Sequence, residues 1–329
     1  NPSNSERPRY PDRVPLPLYT QPVVAFIWDF DRTLIPSNQQ DPLFEAYGVD
    51  PDAFWSEVEG LTRFYAARGV KIGRDSAYLL HILTYVREGI FEGLTNARLR
   101  ELGGQIESAP GIPGLFDATR RHAAADPRYA AAGITVEHYA VSTGILPMIE
   151  GSPLAPHLDG VWANTFIEEQ APPGYQDHLD MPSTEMPISA LGYTIDNTTK
   201  TRAIFEINKG VNKNPTIDVN ALMGQDERRV PIRHMIYIAD GPSDVPAFSI
   251  LNHQGGKTLG VYTTEPRNNF RQVKQLQEQG RIQGMAEADY REGKAAYLWL
   301  MDSLDQIAEE IVSARAAKVA SVANPPGHI

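Results

Sequence analysis

Val23-Val24-Ala25-Phe26-Ile27-Trp28-Asp29-Phe30-Asp31-Arg32-Thr33 decides how this chain folds. Its first part is an unbroken apolar run, too short to span a membrane and suited to a strand buried on both faces of a parallel sheet. The run stops at Asp29, and Asp31 follows two residues on. Side chains so spaced on a strand share a face, about 7 Å apart along it. The carboxyl end of a parallel strand is where α/β sheets bind ligands. Two carboxylates there repel unless a cation or a shared proton lies between them. A strand ending in a solvated turn is the plainer alternative, since Asp is common in turns.

Working outward, apolar runs at 136–141, 235–239 and 258–262 repeat the theme, each followed by polar or glycine residues. Helical patterns at 114–125 and 199–208 lie between them. Strands alternating with helices imply a three-layer, Rossmann-like α/β core with a parallel sheet and right-handed crossovers. Residues 36–108 differ, with amphipathic stretches at 51–68 and 75–89 and no strand pattern. They read as a helical cap inserted after the first strand. The core then comprises 23–35 and 109–316, with an irregular, Pro-, Gly- and Asp-rich insertion at about 146–198 holding one strand-like piece at 161–166. A last helix is expected over 287–316. Residues 1–22 read as an extended Pro-rich arm and 317–329 as a frayed tail.

Hydrophobic content of 42% and charged content of 22% belong to an ordinary globular protein. A net charge of −11 argues against a nucleic-acid partner, whose binding needs clustered Lys and Arg. It leaves room for a small anionic substrate, because a few basic groups in one cleft reverse the local potential. The chain has no cysteine. That removes disulfides, thiolate metal sites and cysteine nucleophiles, and it fits a reducing compartment. With no targeting or membrane segment in view, a cytoplasmic location and no membrane partner are expected. The oligomeric state is open.

Three further motifs carry chemistry. Ile238-Ala239-Asp240-Gly241-Pro242-Ser243-Asp244 ends an apolar run as Asp29 does. If the two strands are neighbours, Asp29 and Asp240 meet, and such oxygen ligands suit magnesium better than zinc. The plainer reading is a βα turn with Ser243 or Asp244 as a helix cap. In Tyr139-Ala140-Val141-Ser142-Thr143-Gly144, a hydroxyl at a strand end precedes a glycine that exposes backbone N–H groups, a good phosphate-oxygen binder. Lys200 stands behind Thr198 and Thr199 at a helix start, where the helix dipole prefers acids. It is a surface lysine unless something else holds it there.

In this order, the four motifs resemble those of the haloacid dehalogenase-like (HAD) superfamily. Pro110-Gly111-Ile112-Pro113-Gly114-Leu115, the Ser142 motif and Ala163-Asn164 resemble most its phosphoserine phosphatase-like branch. The likeness covers about 23–35, 110–168 and 198–262. It implies a magnesium-dependent phosphatase that hydrolyses a small phosphorylated metabolite through an aspartyl-phosphate. Asp29 would be the nucleophile and Asp31 the general acid and base. Ser142, Thr143 and Gly144 would hold the phosphoryl group, Lys200 would neutralise charge and Thr33 would fix the loop. Asp29, the Asp31 carbonyl and Asp240 would bind Mg2+, with Asp244 in support. Phosphotransferase or phosphomutase chemistry on the same machinery, or a non-catalytic binding protein of this fold, are the alternatives.

Two features depart from the family pattern. Arg32 stands where a glycine is common, and Lys200 lies 40 residues before Asp240, which leaves Lys209 and Lys213 as rival candidates. The pairs His157/Asp159 and His178/Asp180 could form a second metal site, with solvated loop residues the plainer reading. Arg63, Arg68, Lys71, Arg74 and Arg87 in the cap could read a second anionic group or simply face water.

Overall fold

The computed structural model describes residues 21–178, 186–264 and 267–323. Most of the proposed Pro-rich arm, Asp180 and the last residues of the tail lie outside this set.

Strand β1 (Val23–Trp28) is buried throughout, and its side chains alternate between two apolar clusters. Val24, Phe26 and Trp28 enter one cluster, and Val23, Ala25 and Ile27 the other, as the period of two requires. Full burial of such side chains stabilises by about 1.5–3 kcal/mol each, so this strand belongs at the centre of a covered sheet.

Four helices follow: α1 (Asp41–Tyr47), α2 (Pro51–Ala66), α3 (Ala77–Arg87) and α4 (Asn96–Gly103). Helix α2 starts where the Asp50 carboxylate accepts the Asp52 N–H at 3.1 Å, with proline in the first turn. Phe44, Phe54, Leu79, Ile82 and Phe91 of this helical segment belong to the same apolar cluster as Phe26 and Trp28. The Phe44 and Phe54 ring centroids are 4.8 Å apart. The segment is therefore packed continuously with one face of the sheet.

The chain continues through α5 (Gly114–Ala125), α6 (Pro127–Ala132), β2 (Thr135–Ile145), α7 (Leu146–Gly151) and β3 (Gly160–Asn164). A small antiparallel pair, β4 (Phe166–Ile167) with β5 (Ala190–Leu191), precedes α8 (Lys200–Lys209). Then come β6 (Met235–Ala239), α9 (Val245–His253), β7 (Lys257–Tyr262), α10 (Arg267–Glu278), β8 (Gly284–Glu287) and α11 (Ala295–Ala323). Among the described residues, the main sheet is all parallel in the order β3-β2-β1-β6-β7-β8. Trp28 sits opposite both Ala140 of β2 and Ile238 of β6. The chain winds outward in both directions from β1, so the crevice at the carboxyl ends of β2, β1 and β6 is the topological switch point.

The structure departs from the sequence reading in three places. In the stretch at 146–198 the helix α7 is unexpected, while β3 falls on the strand-like piece read at 161–166 and forms an edge of the main sheet. The expected helix over 287–316 is displaced: Glu287 ends β8, and α11 begins at Ala295 and runs to Ala323, into the stretch read as frayed tail. β8 escapes a sequence reading because Gly284-Met285-Ala286-Glu287 has neither length nor β-branched residues, and its pairing with β7 makes it a strand. Among the described residues, no helix is long and apolar enough to cross a membrane.

Candidate active site

Three neighbouring strand ends converge here. Asp29 leaves β1, with its N–H donating to the Ile238 carbonyl at 2.8 Å, and Asp240 leaves β6 beside it. Lys200, in the first turn of α8, is 1% exposed and donates from Nζ to Asp29 Oδ1 (2.9 Å) and to Asp244 Oδ1 (2.7 Å). Asp244, wholly buried, also accepts from the Tyr237 hydroxyl at 2.7 Å and from Ser243 Oγ at 2.8 Å. The rival lysines point elsewhere. Lys209 Nζ donates to the Val219 and Ala221 carbonyls, and Lys213 Nζ to the Asp159 carbonyl.

Carboxylate oxygens of Asp29, Asp240 and Asp244 all lie within 4.8 Å of one another, around a single buried ammonium. Negative charge is in excess. Burial pushes the Asp29 carboxyl up, Lys200 pulls it down, Asp244 pushes it up again, and the net shift is upward. Asp240 is raised by burial, then by Asp29 and Asp244. Burial would lower Lys200, but the Asp244 and Asp29 carboxylates outweigh it and hold the ammonium protonated. Asp31 is pushed up to about 7, by burial first and the Asp29 charge second, which moves it toward the range that suits a general acid near neutrality. Its Oδ1 accepts the Gln39 N–H at 2.9 Å.

The donor set fits a hard divalent cation. Asp29 and Asp240 offer charged oxygens whose repulsion such an ion would relieve. Asp244 is already engaged by Lys200, Tyr237 and Ser243 and so serves to hold the lysine.

Ser142, Thr143 and Gly144 lie in the last part of β2, where its pairing with β3 shifts register between Val141 and Ile145. The Gly144 N–H donates to Ser142 Oγ at 2.9 Å, closing a tight turn. The carbonyls of this turn are pinned from outside. Asn164 Nδ2 donates to both Thr143 (2.5 Å) and Gly144 (2.9 Å), and the Tyr78 hydroxyl of α3 donates to Thr143 at 2.6 Å. Thr33 is fully buried, and its carbonyl accepts the Tyr290 hydroxyl at 2.9 Å.

A cavity of about 550 Å3 opens over these residues, lined by Asp29, Asp31, Arg32, Thr143 and Asp240, with Trp55 from α2 as an aromatic wall. Of the cap basic residues singled out in the sequence, Arg74 lines an adjoining lobe of about 270 Å3, while Arg68 lies over the Phe64 ring. Of the second pair of candidates, the His157 carbonyl and the Asp159 carboxylate both accept from Arg120, and Asp180 lies outside the described residues. Sequence reasoning missed Gln39, Tyr78, Tyr237 and Asn269. Asn269 Nδ2 donates to both the carbonyl and Oδ2 of Asp240 at 3.1 Å.

Arg32 adopts φ 55°, the left-handed region that costs a non-glycine residue about 1–2 kcal/mol. Arg32 also lines the cavity, to which it brings a cation. Arg32→Gly should leave the unfolding midpoint nearly unchanged, because relief of strain is offset by a freer unfolded chain. It should raise KM for an anionic substrate by roughly tenfold with little change in kcat, as lost uniform binding does. Steady-state kinetics beside a thermal melt checks both, and an unchanged KM would remove Arg32 from substrate binding.

No protein-family model matches this chain. A Borreliella burgdorferi protein described as uncharacterized is 40% identical over 286 residues, 86% of this chain and 96% of that protein. Among solved structures, a HAD family hydrolase from Salmonella enterica serovar Typhi is 13% identical, covering 79% of this chain and 68% of that one, at TM-score 0.47. A phosphoserine phosphatase carrying a phospho-aspartyl intermediate analogue is 13% identical over 80% of this chain and 92% of its own, at TM-score 0.45. A probable phosphoserine phosphatase from Vibrio cholerae is 12% identical over 88% and 67%, at TM-score 0.47. At such scores these likenesses carry no argument about reaction or substrate.

Proposed function

We propose that this chain, which belongs to one family with the Borreliella burgdorferi protein, is a magnesium-dependent phosphatase of small phosphomonoesters built on a HAD-like fold. One observation carries the reading: Lys200, buried, bridges Asp29 and Asp244, and Asp29 lines a cavity together with Asp31 and Asp240. Phosphoryl transfer asks for alignment and charge neutralisation, and little else of a protein.

In the proposed reaction an Asp29 oxygen attacks phosphorus as the ester P–O bond breaks, and Asp31 gives its proton to the departing alkoxide. Asp31, now a carboxylate, takes a proton from water. That water attacks the phosphorus of the aspartyl-phosphate, the bond to Asp29 breaks and inorganic phosphate leaves. Lys200 faces the nucleophile and balances its charge. The turn at Ser142-Thr143-Gly144 holds phosphoryl oxygens. Mg2+, held by Asp29, Asp240 and the Asp31 carbonyl, would supply positive charge against the phosphoryl oxygens. The two lobes of the cavity suit a small leaving group.

The test is phosphate release from an aryl phosphate and a panel of phosphorylated metabolites, with magnesium and after chelation. Turnover should need the ion, because the carboxylates cannot receive a phosphate dianion without it. Full turnover in excess EDTA after dialysis would sink the metal assignment, and no release from any ester would sink the reading.

A further inference from the structure

Gln39 is fully buried between two parts of the site that the chain keeps far apart in sequence. Its backbone N–H donates to Asp31 Oδ1 at 2.9 Å, and its side-chain Oε1 accepts the Ile145 N–H at 2.8 Å. One residue thus ties the proposed acid to the end of the phosphate-binding turn. The fit is close. A methyl group on Gly144 would overlap the Gln39 side-chain amide, so that amide occupies the space the glycine leaves open. Among the described residues, its buried Nε2 has no hydrogen-bond partner. An orphaned buried donor costs free energy, and a native structure that keeps one calls for a reason.

We propose that Gln39 is a positioning residue: its side chain locks the 142–144 turn against the backbone that orients Asp31, so that proton donor and phosphoryl group stay in register. This rests on the reading of Asp31 as acid and of the turn as phosphoryl site. Asn164 and Tyr78 hold the same turn through its carbonyls, but neither bonds Asp31. Gln39 is the described residue that bonds both.

A residue that mattered only for folding would lower turnover of every ester alike. Gln39→Met keeps a similar volume and loses the hydrogen bond to Ile145. On an alkyl phosphate, whose alkoxide needs the proton, its kcat should fall about tenfold to a hundredfold, part of what acid catalysis supplies. The burst from an aryl phosphate with an acidic leaving group should change by less than about threefold, since that step hardly needs a donor. Equal losses on the two esters, or none on either, would overturn the proposal while leaving the phosphatase reading intact. A wild-type protein inactive on both would instead bring down that reading, and this one with it.

A second measurement does not depend on turnover. Gly144→Ala should lower the thermal midpoint when Gln39 is present and much less in the Gln39→Ala background, because the clash is with that amide. Equal shifts in the two backgrounds would mean that Gln39 and the turn are not coupled, and would overturn the proposal.

Discussion

Asp29→Asn should lower turnover of every phosphomonoester by roughly 10⁴-fold or more, the scale on which loss of a nucleophile registers, and no phosphoenzyme should form. The variant should remain folded, because it removes one of three crowded acids while Lys200 keeps Asp244. Asp31→Asn should fail differently. It keeps the nucleophile but lacks the proton donor, so an alkyl phosphate should lose about 10² to 10⁴ in rate. An acidic phenol leaves without help, so the first step on an aryl phosphate should survive. The second step lacks its base. A burst of phenol near one equivalent, then slow turnover and a trappable acyl phosphate, is the expected record. A burst from Asp29→Asn, or identical behaviour of the two variants across leaving groups, would show the carboxylate roles to be misassigned.

Lys200→Ala should cost on the order of 3 kcal/mol of transition-state stabilisation, a hundredfold or more in kcat. It also strands two buried carboxylates, and breaking a buried pair typically destabilises by about 3–5 kcal/mol. The two losses can be separated. Lys200→Ala with Asp244→Asn removes one charge of each sign, so the midpoint should recover substantially while turnover stays low. Lys209→Ala and Lys213→Ala should be nearly silent in kcat, since their ammonium groups bond loop carbonyls away from the cavity. Turnover restored in the double variant, or a crippled Lys209→Ala, would take Lys200 out of the reaction.

What sequence reveals here depends on whether a residue's meaning is local. Asp29, Asp31 and Asp240 are visible because they stand at or just beyond the end of an apolar run suited to a buried strand, and strand ends are where such sheets do chemistry. Lys200 is ambiguous in one dimension. The loop between α8 and β6 has no period, so spacing alone cannot choose among Lys200, Lys209 and Lys213, and only the packing of α8 sets their directions. Tyr237 looks like one more apolar residue of β6, and its hydroxyl acquires purpose only from Asp244 behind it. Gln39 and Asn269 sit in polar stretches like many others, and their partners lie across the fold. β8 is invisible for a different reason: a four-residue strand has no measurable alternation and takes its form from its neighbour.

The shared apolar cluster of α1–α4 and the sheet has a consequence for how this protein can change. Where a lid rests on its scaffold through a polar seam, recombination can exchange it whole, and new specificities arrive by module. Here Phe44, Phe54 and Phe91 are continuous with the layer that holds Phe26 and Trp28, so a foreign helical segment would have to match its shape residue by residue. Chimeras made by splicing the segment from other proteins should come out insoluble. Diversification is then left to single substitutions at cavity-facing positions such as Arg74, which can vary without disturbing that layer, whereas Trp55 also packs on Phe44 and Phe54 and is bound to it.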